Sequence, residues 1–280
     1  MNRIIYIILP LLLISVTTMA QFKLQPSVGL GSQSLTYTYQ DATITGSSGI
    51  GFGADLFYYM NEDLAFGAGV RFAGYKAIST LADLTKSESG VDIDGDNYQL
   101  TKVSKGITEE HTMSAIEIPL LVRYQKWVSG TFIVFGSTGP VFVLPSKLKT
   151  KFNSGTMSTS GYYENWDLTI DEAEPYGFGS NALSGNEVDL SAKTSLSWAI
   201  EAGVEYFVNK RFNLMLTAYF QPGLSSVVDA KKDANAIVNP FAFEGSLAGG
   251  NDIKINKVGF KVGINFDLSP PEKSSIKSIR

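Results

Sequence analysis

The chain has 280 residues, 44% hydrophobic and only 18% charged, with a net charge of −4 and a single histidine. It contains no cysteine, which excludes a disulfide scaffold, a thiolate zinc site and a cysteine nucleophile. The acidic balance and the lack of any basic block argue against a nucleic-acid partner.

The first segment, 1–20, reads as a secretory signal peptide. Arg3 supplies the positive end, Ile4 to Val16 the apolar stretch, and Thr18-Met19-Ala20 the small residues before a cleavage point. That stretch falls short of the roughly 20 apolar residues a membrane helix needs. Further on, the longest apolar run, Thr131 to Leu144, is interrupted by Gly136, Gly139 and Pro140. Membrane insertion without spanning helices requires a closed barrel, because every backbone polar group must be paired.

From residue 22 onward the pattern has period two, the signature of strands whose side chains alternate between faces. Eight strands are predicted, at about 22–33, 48–60, 64–76, 113–126, 131–144, 194–208, 212–224 and 256–268. In the second, Ile50, Phe52, Ala54, Leu56, Tyr58 and Met60 alternate with Gly51, Gly53, Asp55, Phe57 and Tyr59. In the third, Leu64, Phe66, Ala68, Val70 and Phe72 alternate with Ala65, Gly67, Gly69 and Arg71. One face is continuously apolar; the other is small or charged. A soluble barrel puts its apolar face inside, whereas a face of glycine and lone charges suits a narrow lumen and leaves the apolar face for lipid. The fifth strand is apolar on both faces, and its alternation assigns neither to the lumen.

The connections alternate too. Asn61-Glu62-Asp63, Trp127 to Gly130 and Asn209-Lys210-Arg211 are short; 34–47, 77–112, 145–193 and 225–255 are long. Short periplasmic turns and long external loops are the rule for outer-membrane barrels. The predicted fold is therefore all-β: an eight-stranded antiparallel up-and-down transmembrane barrel over 21–268, followed by a periplasmic tail, 269–280. Tyr58, Tyr59, Phe66, Tyr124, Trp127, Phe132, Tyr206, Phe207, Phe212 and Phe266 fall near the short turns, where an aromatic girdle belongs.

The inward faces carry Lys23, Asp55, Arg71, Glu117, Arg123, Glu201, Glu205, Lys261, Asn265 and Asp267. Buried charges must be paired, so Asp55, Arg71, Glu117, Arg123, Glu201, Glu205 and Lys261 are expected to form a structural network in the lumen. Centring the second hairpin's turn on Glu62 sets Asp55 opposite Gly69 and diagonal to Arg71. An eight-stranded barrel is only wide enough for side chains to fill, so a plugged interior is expected.

No catalytic residue, cofactor or metal ligand is assigned. Glu201 and Glu205 lie about 13 Å apart along one strand, beyond the roughly 5–9.5 Å of glycosidase carboxylates. His111 has Glu109, Glu110 and Ser114 nearby, the ingredients of a hydrolase, but reads as a solvated loop histidine. Asp92, Asp94 and Asp96 alternate like a calcium loop, yet positions six and twelve are Asn97 and Val103 where an EF-hand needs Gly and Glu. Gly49, Gly51 and Gly53 alternate within a strand and form no nucleotide loop. The loops 77–112 and 145–193 are acidic, and the second contains Tyr162, Tyr163, Trp166, Tyr176 and Phe178. Aromatics among acids suit either a recognition surface or a small core of the loop's own.

The run Ile116-Glu117-Ile118-Pro119-Leu120-Leu121-Val122-Arg123-Tyr124, with Gly139-Pro140 in the next strand, resembles the PorT-like outer-membrane β-barrel family of the Bacteroidota. The leader ending Ala20-Gln21 is similar to leaders of that lineage, and the architecture is similar to OmpX and the OmpA barrel. The resemblance implies an outer-membrane location in a Gram-negative bacterium. It says little about activity. With the charged lumen and the acidic loops, the expected role is structural, adhesive or accessory to an envelope or secretion complex. The partner is expected to meet loops 77–112 and 145–193, because function tends to sit on loops held by a rigid scaffold. The departure is at the end, where Phe266 is followed by Ser269-Pro270-Pro271 and a basic tail to Arg280 rather than closing the chain. Two rival functions are a small-solute channel, which needs a continuous water path, and a lipid-modifying hydrolase. The latter needs His111, a serine and an acid in contact at the membrane surface.

Overall fold

A computed structural model describes residues 21–39, 42–92, 94–229 and 243–268. The predicted leader, 1–20, and tail, 269–280, lie outside the described residues. The strands are β1 (Gln21–Thr38), β2 (Ala42–Gly46), β3 (Ser48–Tyr59), β4 (Leu64–Leu81), β5 (Leu84–Val91), β6 (Asn97–Trp127) and β7 (Phe132–Tyr163). They continue with β8 (Leu168–Ile170), β9 (Gly179–Ala182), β10 (Glu187–Leu190), β11 (Ser195–Asn209), β12 (Phe212–Pro222) and β13 (Asn251–Asp267). Eight of them form a closed antiparallel circuit. β1 pairs with β3, β3 with β4, β4 with β6, β6 with β7, β7 with β11, β11 with β12, β12 with β13, and β13 with β1. Closure leaves no free edge within the barrel.

The three short turns use one chemistry. Asn61 Oδ1 accepts from the Asp63 and Leu64 amides at 2.9 and 2.7 Å, and Asn209 Oδ1 from Arg211 and Phe212 at 2.8 and 3.1 Å. Ser129 Oγ accepts from the Phe132 amide at 3.2 Å. Short polar side chains that mimic a backbone acceptor hold such turns without a long loop.

The outward face around the barrel is apolar and exposed. Val28, Phe52, Val70, Ile118, Leu120, Val134, Ile200, Leu216 and Val262 are each at least 37% accessible. On β7, the strand whose alternation was ambiguous, Phe132, Val134, Phe142 and Leu144 face out, and Ile133, Phe135, Val141 and Val143 face in. The aromatics at outward positions follow the girdle expectation, but Phe207 shares the inward parity of Glu205 and lines the lumen end beside Tyr59 and Trp127. Tyr59 is buried in the lumen, where its hydroxyl donates to Gln125 Oε1 at 2.8 Å.

The larger correction concerns the loops. β6 and β7 run for 31 and 32 residues, more than twice the predicted span, and most of 77–112 and 145–160 is strand. β5 pairs with the upper part of β6, and β8, β9 and β10 pair with the upper part of β7. The result is a sheet projecting from the barrel on its external side. It was hidden because the outward apolar residues stop at Ile116 on β6 and Leu144 on β7. Beyond them the outward positions are Ser114, Thr112, Ser146 and Lys147, while Met113, Leu148 and Phe152 point in. Gly106, at φ +58°, marks a register break in β6, and its amide donates to Asp83 Oδ1 at 2.7 Å.

The Pro119 and Gly139-Pro140 pattern also has a geometric cause. Neither proline can donate to the ladder, and the β6–β7 register lacks pairs at Leu120 and Leu121. At Gly139 a Cβ would stand 2.0 Å from the Leu120 carbonyl oxygen, so only glycine fits this close approach.

Candidate functional site

Within the membrane belt the lumen is filled by layers of paired charge, built from the inward positions of every barrel strand but β7, which adds the ring of Phe135. Nearest the short turns, Glu205 accepts from Arg123 Nη2, from Gln25 Nε2 at 3.2 Å, and from Asn213 and Asn265 Nδ2 at 3.0 Å. The Arg123 guanidinium lies 3.6 Å from the ring centroid of Phe135, a cation–π contact inside the barrel. One layer up, Arg71 Nε and Nη2 donate to the two oxygens of Asp55 at 3.0 and 2.7 Å. Arg71 Nη1 donates to Glu201 Oε1 at 2.8 Å, and Lys261 Nζ to Glu201 Oε2 at 2.8 Å. Above them, Glu117 accepts from Lys257 Nζ at 2.9 Å, Gln221 Nε2 at 3.2 Å and the Tyr75 hydroxyl.

All seven predicted network residues lie in these layers. Asp55 does stand opposite Gly69. The glycine is needed there, because a Cβ at Gly69 would sit 2.0 Å from Asp55 Oδ1. The alternation of glycine with lone charges thus makes room for an ion pair. Gln25, Tyr75, Asn213, Gln221 and Lys257 were missed, although parity with their strand neighbours places each of them inward. A void beside Arg71, Glu201, Tyr219, Gln221, Lys257 and Lys261 holds about 30 Å³, room for about one water.

Among the described residues, the external mouth is filled by a different device. An apolar layer that includes Leu35, Met113, Val141, Leu148, Ile253 and Ile255 lies above the charges. The segment Gly245 to Gly250 is buried and folds into it, with Leu247 fully inaccessible. Glu109 anchors this segment, both of its oxygens accepting from the Ser246 amide at 3.0 and 3.1 Å. Ser246 Oγ lies 2.8 Å from the Tyr37 hydroxyl and 3.0 Å from Ser79 Oγ.

His111 belongs to this anchor, which corrects its reading as a solvated loop residue. Its ring is fully buried, with Nε2 2.8 Å from the Tyr37 hydroxyl and Nδ1 2.9 Å from Thr150 Oγ1. A serine, a histidine and an acid do meet here, Glu109 Oε2 lying 3.3 Å from His111 Nε2. However, the hydroxyls bonded to the imidazole are those of Tyr37 and Thr150, and Ser246, Glu109 and His111 have no accessible surface. A nucleophile has to reach its substrate; in this arrangement the three residues hold a plug.

Outside, the projecting sheet ends in aromatics. Tyr163 stacks on Tyr98 and on Trp166 with centroids 5.4 and 5.2 Å apart, and Phe178 meets Tyr98 edge-on at 5.8 Å. Tyr163 and Phe178 are buried, so the segment does have a small core. Trp166 and Tyr176 are 56% and 78% accessible. Beside them a cleft of about 700 Å³ is lined by Ser160, Thr169, Asp171, Glu172, Glu174 and Phe178. The three-aspartate turn is organised by hydrogen bonds of its own, Asp92 Oδ1 accepting from the Asp94 and Asp96 amides at 3.0 and 2.9 Å. On β5, the exposed Glu88 carboxylate accepts from Lys102 Nζ at 2.9 Å, and this charged hydrogen bond holds its pKa below the ordinary carboxylate value.

No family model matches the chain, and no curated protein matches it in sequence. Solved structures similar to it include Neisserial surface protein A, at 10% identity and a TM-score of 0.40 over 90% of this chain and 100% of that one. Another is Ail, the attachment invasion locus protein of Yersinia pestis, solved with the heparin analogue sucrose octasulfate. It has 10% identity and a TM-score of 0.31 over 89% of this chain and 99% of that one. The outer membrane protein OprG from Pseudomonas aeruginosa has 12% identity and a TM-score of 0.33, over 87% and 95% of the two chains. The chain's own geometry carries the assignment: a closed antiparallel barrel with charges inside and an exposed apolar belt outside is a β-barrel of the Gram-negative outer membrane.

Proposed function

We propose that this chain is a non-enzymatic surface barrel whose working part is the external sheet, in an adhesive role or as an accessory to an envelope or secretion complex. The observation that carries the reading is a contrast. The lumen is occupied by ion pairs, an apolar layer and the Gly245–Gly250 plug, while Trp166 and Tyr176 are held out in water beside acids. Large aromatics kept exposed on a rigid scaffold are the residues that dominate recognition surfaces. The PorT-like resemblance at Ile116–Tyr124 supports the accessory form of this role. The ion-pair network is, in this reading, a structural filling and not a conduction path, and the Glu109–His111–Ser246 cluster is an anchor and not a catalytic site.

The test is capture from detergent-solubilised envelope with wild-type protein and with a Trp166→Ala/Tyr176→Ala variant. A partner retained by the first and lost by the second, with both barrels showing the heat-modified gel mobility of folded protein, is the expected result. Equal capture by both would remove the tip from the account. Recovery of the mature protein as a soluble periplasmic species would remove the account altogether.

A further inference from the structure

We infer that β5 is a homotypic docking edge, by which two copies pair antiparallel about Ser87 from facing membranes. The inference deepens the adhesive reading above and rests on it. Among the described residues β5 pairs with β6 alone, so its second edge presents unpaired backbone amides and carbonyls. Thr85 through Ser89 are exposed, and the β5–β6 register runs without a shift from Leu84 to Val91. A straight, exposed edge of this length is a template for another strand, and natural proteins usually blunt such edges.

The side chains decide which strand fits. In an antiparallel pair centred on Ser87, Lys86 of each copy stands opposite Glu88 of the other, and Thr85 opposite Ser89. Opposite charges and hydroxyl pairs across such a ladder are favourable, and like charges are not. The neighbouring same-face registers fail: centring on Lys86 sets lysine against lysine, and centring on Glu88 sets glutamate against glutamate. A foreign strand without this pattern leaves Lys86, which stands opposite Lys102 within the sheet, without an opposing acid. The same two residues that block indiscriminate pairing therefore select a second copy of this chain. Glu88 is already held by Lys102 at 2.9 Å, which lowers the entropy lost on docking.

Topology sets the arrangement of the copies. β6 descends from its external end at Asn97 to the periplasmic turn after Trp127, so β5, antiparallel to it, climbs away from the membrane. Copies in one membrane share the membrane normal and offer two climbing strands. An antiparallel pair needs one climbing and one descending strand, which copies on opposed membranes supply.

The experiment uses two differently fluorescent populations of a heterologous Gram-negative host displaying the full chain. Mixed clusters are expected with wild type, and clustering at least tenfold weaker with either Lys86→Glu or Glu88→Lys alone. Mixing the Lys86→Glu population with the Glu88→Lys population restores both charge pairs across the docking edge, although not the Glu88–Lys102 pair within the Glu88→Lys copy, and is expected to restore clustering between populations but not within them. Because the chain has no cysteine, Ser87→Cys adds a single thiol, and an oxidised dimer linking the two populations is expected. Clustering indifferent to both charge reversals, failure of the mixed pair to recover, or thiol dimers forming only within one population would overturn the inference. Absence of wild-type clustering would also overturn it. If Trp166- and Tyr176-dependent capture persists in that case, only the homotypic edge is lost; if that capture also fails, the adhesive reading falls with it.

Discussion

Ile116 on β6 separates two regions built on one alternation with opposite meanings. Below it, toward the short turns, Ile118, Leu120 and Val122 face out, and Glu117 and Arg123 are buried. Above it, Ser114 and Thr112 face out, and Ala115, Met113 and Ile107 are buried. The strand does not change; its solvent does. Where the outside is lipid, apolar residues go out and polar groups must find partners within. Where the outside is water, the ordinary sense of burial returns. The two regions therefore fail in different ways, the lower by stranding charge and the upper by losing apolar packing.

The largest effect is expected in the lower region. Arg71→Ala leaves Asp55 and Glu201 to share Lys261, and breaking a buried pair in this way costs about 3–5 kcal/mol. Urea unfolding in detergent should show that loss, and adding Glu201→Gln should recover part of it. An Arg71→Ala barrel as stable as wild type would mean the charges are not coupled.

In the upper region Leu148, 1% accessible, sits in the apolar layer under the plug, so Leu148→Ala should cost about 2–5 kcal/mol. The comparison sharpens if hydrogen exchange then rises in Gly245–Gly250 and the upper strands while the belt stays protected. Uniform loss of protection would make the two regions one cooperative unit.

A smaller effect is expected from Gly69→Ala, because the new methyl collides with Asp55 Oδ1 and shifts the Arg71 pair. Overpacking of this kind costs about 1–3 kcal/mol, read from the same unfolding curve. The smallest is Tyr176→Ala: at 78% accessible the residue should change stability by less than about 0.5 kcal/mol while weakening partner capture.

The barrel was legible because lipid makes its demand at every second residue, and residues such as Phe52, Val70 and Leu216 meet it without exception. Parity alone also brought Asp55 and Arg71 to one face, and the Asn61 turn fixed their register. The upper sheet was not legible. Lys147 to Ser160 reads as a polar loop because only Leu148, Phe152 and Met157 are apolar in it, which is enough for one buried face of a sheet in water. His111 was misread for the same reason: its neighbours Glu109, Glu110 and Thr112 look solvated, and its partners Tyr37 and Thr150 lie on other elements. The two ends of 77–112 are consequently no dispensable loop, since Ser79, Glu109 and His111 hold the plug.

A sealed lumen with its working surface outside is tested most directly by electrical recording of the intact protein in planar bilayers. Among the described residues, ion pairs in the belt, the apolar layer above them and the Glu109-anchored segment fill the lumen, so no steady open conductance is expected, at any voltage the bilayer withstands. A stable conductance from folded wild-type barrels, reduced or altered in ion selectivity by Arg71→Ala or Glu201→Gln, would contradict the account and make the charged layers a conduction pathway.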